Sequence, residues 1–403
     1  MTVSVCRTIC RTLASVLAVV AIGVPAVPAG AGPSAPAGAG PGSDTPAVLA
    51  AEIVAEPPVA VDAGTTYRLR YSSTSVRGAP TEMTGTLVLP AGRAPAGGWP
   101  LAVWNHMTVG AADRCAPSTA TPTHPELSRM TSGDRLITHL LHGGFAVVRP
   151  DFEGIGGPGA HPYLIGDSLA RSAIDAAVAV ARYDARIGRD VVVAGHSEGS
   201  VAALAAGAQS ADQWHGMRLR AVAALAPPTQ VATILDALSG VPVAGPAINE
   251  LVGLAALLGS GAAAADPDFD DLLRGGGLSR PAAALLGHIE DRCYAELTEP
   301  DSFGGLAPAE FFGPRGAEMK AQLVQILEHN DVANVRIPEA VPVRLDAGWV
   351  DTVAAQPLVS RLADTYRRHG MSVTYADHPV GHAGVATEPA AASEIARWLI
   401  AQM

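Results

Sequence analysis

The residues best placed to do chemistry are Gly195-His196-Ser197-Glu198-Gly199. A β-branched run, Val191–Val193, leads into them, and an Ala-rich stretch of helical composition, Val201 to Gln209, follows. Gly-x-Ser-x-Gly alone is a weak signal in a chain rich in Gly and Ala. Set between a strand and a helix, it reads as a nucleophile elbow, in which a strained turn projects the serine oxygen from the strand's end. Strand and helix approach closely at such a turn, so its flanks must be small, and Gly195 and Gly199 meet that need. The helix N-terminus also points free amides and a partial positive charge at any developing oxyanion.

A serine nucleophile needs a base, and the base needs an orienting acid, in the chain order Ser, acid, His. Two histidines follow the last strand signal. His382, flanked by small residues on a loop, has the reach to return to Ser197; His378 lies close to the strand end beside Pro379 and reads as a surface or supporting residue. Two aspartates follow the strand 341–345. Asp346 stands at its end, nearly in line with the sheet, whereas Asp351 has the slack to turn toward His382 and is the preferred acid. The oxyanion needs two backbone donors. One is the amide of Glu198, and the second comes from Met107 or Thr108, after the strand 101–104. The Glu198 side chain reads as pointing away to hydrogen-bond the structure, not as a catalytic acid. His106 is a candidate for lining the site.

These residues need a frame. Strand signals run over 65–72, 83–89, 101–104, 145–148, 191–193, 221–226, 341–345 and 372–375, with helical patterns after most of the later ones. Such alternation predicts an α/β fold, a mostly parallel sheet covered by helices on both faces. The alternation stops over 228–338, which is Ala-, Leu- and Gly-rich, and residues 251–265 carry no charge. An irregular helical insertion leaving the sheet on the nucleophile's side reads as a cap, and its apolar part, with Met107, as the wall of an acyl pocket.

Composition bounds the partners. The chain has 403 residues, 48% hydrophobic and 16% charged, with a net charge of −11. That balance supports a large core and argues against nucleic acid or a polybasic membrane footprint. Arg7 and Arg11, the apolar run 13–24 and Ala29-Gly30-Ala31 form a secretory signal over 1–31, too short and too Pro-closed to span a membrane. Residues 32–48 read as a disordered Pro/Gly/Ala-rich leader, 49–227 and 339–403 as two parts of the core. Cys6 and Cys10 leave with the signal. Cys115 and Cys293 remain, an even pair in an exported chain, which suggests a disulfide; two buried free thiols are the alternative. Once Cys6 and Cys10 have gone, no paired cysteines at ligand spacing remain, so no metal or other cofactor is expected. A monomer without stable membrane insertion is expected.

The chain resembles the secretory lipase family of α/β hydrolases. The similar pieces are residues 105–110, Cys115-Ala116-Pro117-Ser118, 151–156, His161-Pro162-Tyr163-Leu164, the elbow, Asp351-Thr352 and Gly381-His382. The resemblance implies a Ser197–His382–Asp351 triad, a helical cap between the sixth and seventh strands, and cofactor-free hydrolysis of acyl esters from a small-molecule or lipid substrate. Met107 and Ser200 depart from the family's small residues. Other leaving groups, as in an aminopeptidase or an aryl or polyester esterase, and a non-catalytic binding protein are the alternatives.

Overall fold

The computed structural model describes residues 45–54, 64–245 and 248–403. The expected signal, 1–31, and most of the expected leader lie outside them. Residues Thr45–Met403 make up one compact unit.

Nine strands form one sheet: β1 Val48–Ile53, β2 Thr65–Thr74, β3 Pro80–Leu89, β4 Trp99–Asn105, β5 Ala146–Pro150, β6 Ile187–His196, β7 Arg218–Leu225, β8 Val343–Gly348 and β9 Val373–His378. Their order is β1-β2-β3-β5-β4-β6-β7-β8-β9. β1, β2, β3 and β5 pair antiparallel. From β5 to β9 every pairing is parallel. This is the α/β-hydrolase arrangement. Sequence reading did not anticipate β1, which begins on the last residue assigned to the leader. It is a half-exposed edge strand without a clear alternation of burial, so periodicity carries little signal there.

The central strands are apolar on both faces because helices cover both. Val191, Val192, Val193 and Ala194 of β6, and Ala221–Leu225 of β7, are all buried. The principal helices are α1 Asp134–His142, α2 Gly166–Tyr183, α3 Glu198–Gly207, α4 Val231–Leu238, α5 Asn249–Ala265, α6 Gly316–His329, α7 Gln356–Arg368 and α8 Pro389–Ile400. In α2 and α3 alanine is the commonest buried residue. Small side chains let these helices lie close to the sheet, which suits a chain with few aromatics.

Between β7 and β8 the described residues form α4, α5, α6 and shorter helical turns, with no strand of the sheet. In this sheet the segment follows the seventh strand, since β1 shifts the expected count by one. It leaves from the C-terminal end of β7, the end at which β6 delivers Ser197.

Candidate active site

Ser197 sits between β6 and α3 with φ 56° and ψ −118°, a conformation that strains any residue but glycine. The strain is held from both sides. Its N–H donates to Leu225 O at 2.8 Å. Gly195 and Gly199 let the two segments pass: a Cβ on Gly195 would stand 1.9 Å from Gly199 O, and one on Gly199 2.1 Å from Asn105 O. The turn is therefore wedged against the end of β4, where Asn105 pairs with Gly195. Ser200 Oγ closes the first turn by donating to Ser197 O.

His382 Nε2 lies 2.8 Å from Ser197 Oγ, and its Nδ1 lies 2.8 Å from Asp351 Oδ2. A carboxylate only accepts, so Nδ1 carries the proton and Nε2 is free to accept from the serine hydroxyl. Asp351 Oδ1 accepts the N–H groups of Val353 and Ala354, each at 2.8 Å. Those bonds fix the carboxylate before the histidine arrives. Ser197 and Asp351 are buried and the His382 side chain is 14% exposed, so the chain of contacts lies in a water-poor setting where electrostatics act strongly.

The two residues set aside as base and acid lie together elsewhere. His378 Nε2 is 2.8 Å from Asp346 Oδ1, and Arg344 grips Asp346 through two bonds of 2.8 Å while reaching Glu394. Asp346 is inside β8, not at its end, and His378 is buried, not on the surface. Its hydrogen bond to Asp346 raises the pKa of His378 above the usual histidine value, burial opposing.

Glu198 is the first residue of α3, one of the positions whose amide a helix leaves without an internal acceptor. Met107 and Thr108 follow β4, and the Asn105 and His106 carbonyls pass against the first turn of α3. The loop that carries Met107 and Thr108 thus leaves β4 beside the elbow. His106 does not line an open site. It is buried, stacks on Phe152 at 4.3 Å and donates from Nδ1 to Met107 O at 2.7 Å; burial lowers its pKa.

Two contacts escaped the sequence reading. His196 Nε2 donates to the His382 main-chain carbonyl at 3.0 Å, the two rings 5.0 Å apart. Burial, with His382 nearby, holds the His196 pKa well below normal, so it stays neutral beside the base. The Glu198 carboxylate meets His161 Nε2 at 2.7 Å. A disulfide joins Cys115 and Cys293, with Cα atoms 5.5 Å apart. Next to it, Tyr294 N–H donates to Val109 O and Gly110 bridges Cys293.

A gap of about 10 Å³, room for about one water, lies between the core and the helical segment, lined by Leu164, Val201, Pro228, Val231, Leu327, Asn330 and Asp331. Val201 stands one turn along α3 from Ser197. Among the described residues no group of three or more His, Cys, Asp or Glu could hold a metal ion, and no helix is long and apolar enough to cross a membrane.

The family model described as "Secretory lipase" matches residues 126–403. The chain belongs to the secretory lipase family. The match contains Ser197, His382 and Asp351 but begins after the loop carrying Met107 and Thr108. No curated protein matches significantly. Among solved structures, Candida antarctica lipase A in its closed state is similar at a TM-score of 0.67 and 18% identity, over 83% of this chain and 77% of that one. The rice cell wall degrading esterase LipA from Xanthomonas oryzae, in a ligand-bound form, is similar at 0.67 and 20%, over 89% and 99%. At such identities the likeness concerns the fold. Family and fold together make this secretory lipase a hydrolase acting on esters.

Proposed function

We propose that the protein is an exported serine hydrolase that cleaves carboxylic esters through an acyl-enzyme. The observation that carries this reading is the unbroken line of contacts from Ser197 Oγ through His382 to Asp351, each 2.8 Å. His382 takes the Ser197 proton as Oγ attacks the ester carbonyl. The Glu198 amide and that of Met107 or Thr108 hold the oxyanion. His382 then protonates the departing alcohol, and water repeats the cycle on the acyl-enzyme. Asp351 keeps the imidazole in the tautomer that attack needs and stabilises the imidazolium.

The helical segment between β7 and β8 acts as a cap, and Val201 and Val231, which line the narrow gap between it and the core, are placed to meet an acyl chain if that gap widens. The family match, the disulfide and the N-terminal pattern Arg7, Arg11 and 13–24 support export with removal of residues 1–31.

Ser197→Ala tests the reading. Hydrolysis of p-nitrophenyl esters should fall by on the order of 10⁴–10⁶ while circular dichroism and melting stay those of the parent. Turnover near the parent's would remove Ser197 as nucleophile.

A further inference from the structure

The two oxyanion donors come from separate elements, the first turn of α3 and the loop after β4. Donors of this kind act only if fixed relative to each other to within about 0.5 Å. One segment touches both. Residues 151–163 follow β5, and His161 reaches the elbow, its Nε2 2.7 Å from Glu198 Oε1 with both side chains wholly buried. Two residues on, the Tyr163 hydroxyl lies 2.9 Å from Thr108 Oγ1. Between them the Phe152 ring packs against His106 at 4.3 Å and His161 at 6.1 Å.

The segment is itself fixed. Glu153 accepts from Val76 N–H at 2.9 and 3.0 Å and from Ser168 Oγ, and its carbonyl accepts from His161 Nδ1 at 2.8 Å. Phe152 and Leu164, near its two ends, hold left-handed backbone at φ 71° and 56°. His161 Nδ1 must carry a proton, because a carbonyl can only accept. One further proton lies between Nε2 and Glu198, making either an imidazolium on a carboxylate or a carboxylic acid on a neutral imidazole. Glu198 Oε2 finds no protein partner. Replacing a buried polar pair by apolar side chains is often neutral or stabilising, so stability does not require such a pair.

We infer that His161 and Tyr163 are positioning residues that hold the two halves of the oxyanion hole in register, His161 through Glu198 and Tyr163 through Thr108. The inference rests on the Ser197 reading. His161→Ala should lower kcat on a soluble short-chain ester by about tenfold or more with KM within about twofold, a misaligned donor costing less than a missing one. Tyr163→Phe should cost about three- to tenfold, also in kcat. Phosphonylation of Ser197 by a neutral organophosphonate should slow in parallel, because its tetrahedral oxygen uses the same donors. His161→Gln, which keeps a donor for Glu198, should recover most of the loss. Folded His161→Ala and Tyr163→Phe with parental kcat, a loss confined to KM, or a Gln variant as impaired as the Ala one would each overturn the inference. Should His161→Ala not fold, Tyr163→Phe, which deletes one hydroxyl, and His161→Gln decide it. A fully active Ser197→Ala would instead overturn the nucleophile assignment, so the two failures are distinguishable.

Discussion

Apart from Ser197, His382 and Asp351, the chain carries a second aspartate–histidine pair, Asp346 and His378, whose consequences are electrostatic. The folded chain holds the His378 proton more tightly than the unfolded one does, chiefly through Asp346. The stability this provides is complete below the unfolded pKa of about 6.5 and is lost as pH rises through the higher folded value. Melting temperature should therefore decline on the alkaline side of about 6.5, and His378→Asn should flatten that decline. An identical slope in the variant would show that His378 is not its source. Asp134 and Asp175, pushed up to about 6 by burial, also make stability fall with pH, but between about 4 and 6, so melting curves separate the two effects. At this scale Ser197, Asp351 and His382 could be picked out because each follows a readable strand and has few rivals. The partners of His161 and His196 could not. His161 meets Glu198 across 37 residues, and nothing local in a sequence marks a contact between a loop after one strand and a turn after the next.

The helical segment shows the same limit for elements. Its presence was legible from the lapse in alternation, but which of its faces meets substrate was not. Residues 251–265 fall in α5, and their lack of charge has a plain cause: Val252, Ala256, Leu257, Leu258, Ala262 and Ala263 are buried. Gly261 lies so close to Tyr163 that a Cβ would stand 2.4 Å from its nitrogen. An apolar helix wedged that tightly is packing material, and Leu257→Asp would bury a charge without a partner. We propose Val231 of α4 as the acyl wall instead, because it is only half-buried and lines the narrow gap with Val201 and Leu164. Val231→Asp should depress hydrolysis of octanoate esters about tenfold more than of acetate, since a few methylenes in an apolar pocket are worth roughly 1–3 kcal/mol. Leu254→Asp, on the half-buried side of α5, should not discriminate. Chain-length profiles of the two variants check this, and the reverse ranking would restore α5 as the wall.

At the scale of the whole molecule, one covalent clasp joins the loop after β4 to the helical segment, flanked by the Tyr294–Val109 hydrogen bond and the Arg114–Glu296 ion pair at 2.7 Å. Closing a loop across a separation of 178 residues should contribute up to about 5 kcal/mol on the chain-entropy view. Reduction, or Cys293→Ser, should lower the melting temperature and raise hydrogen exchange in 280–300 before the sheet core. Unchanged melting would show that the noncovalent contacts suffice.

The same bond constrains how the protein can go wrong while it matures. Four cysteines, as in residues 1–403, allow three ways of forming two bridges; Cys115 and Cys293 alone allow one. Loss of residues 1–31 would thus remove every incorrect intramolecular pairing. Cys115 would then wait, during vectorial export, for a single partner that arrives only after the strands around the nucleophile have crossed. No disulfide isomerase would be needed, only an oxidant.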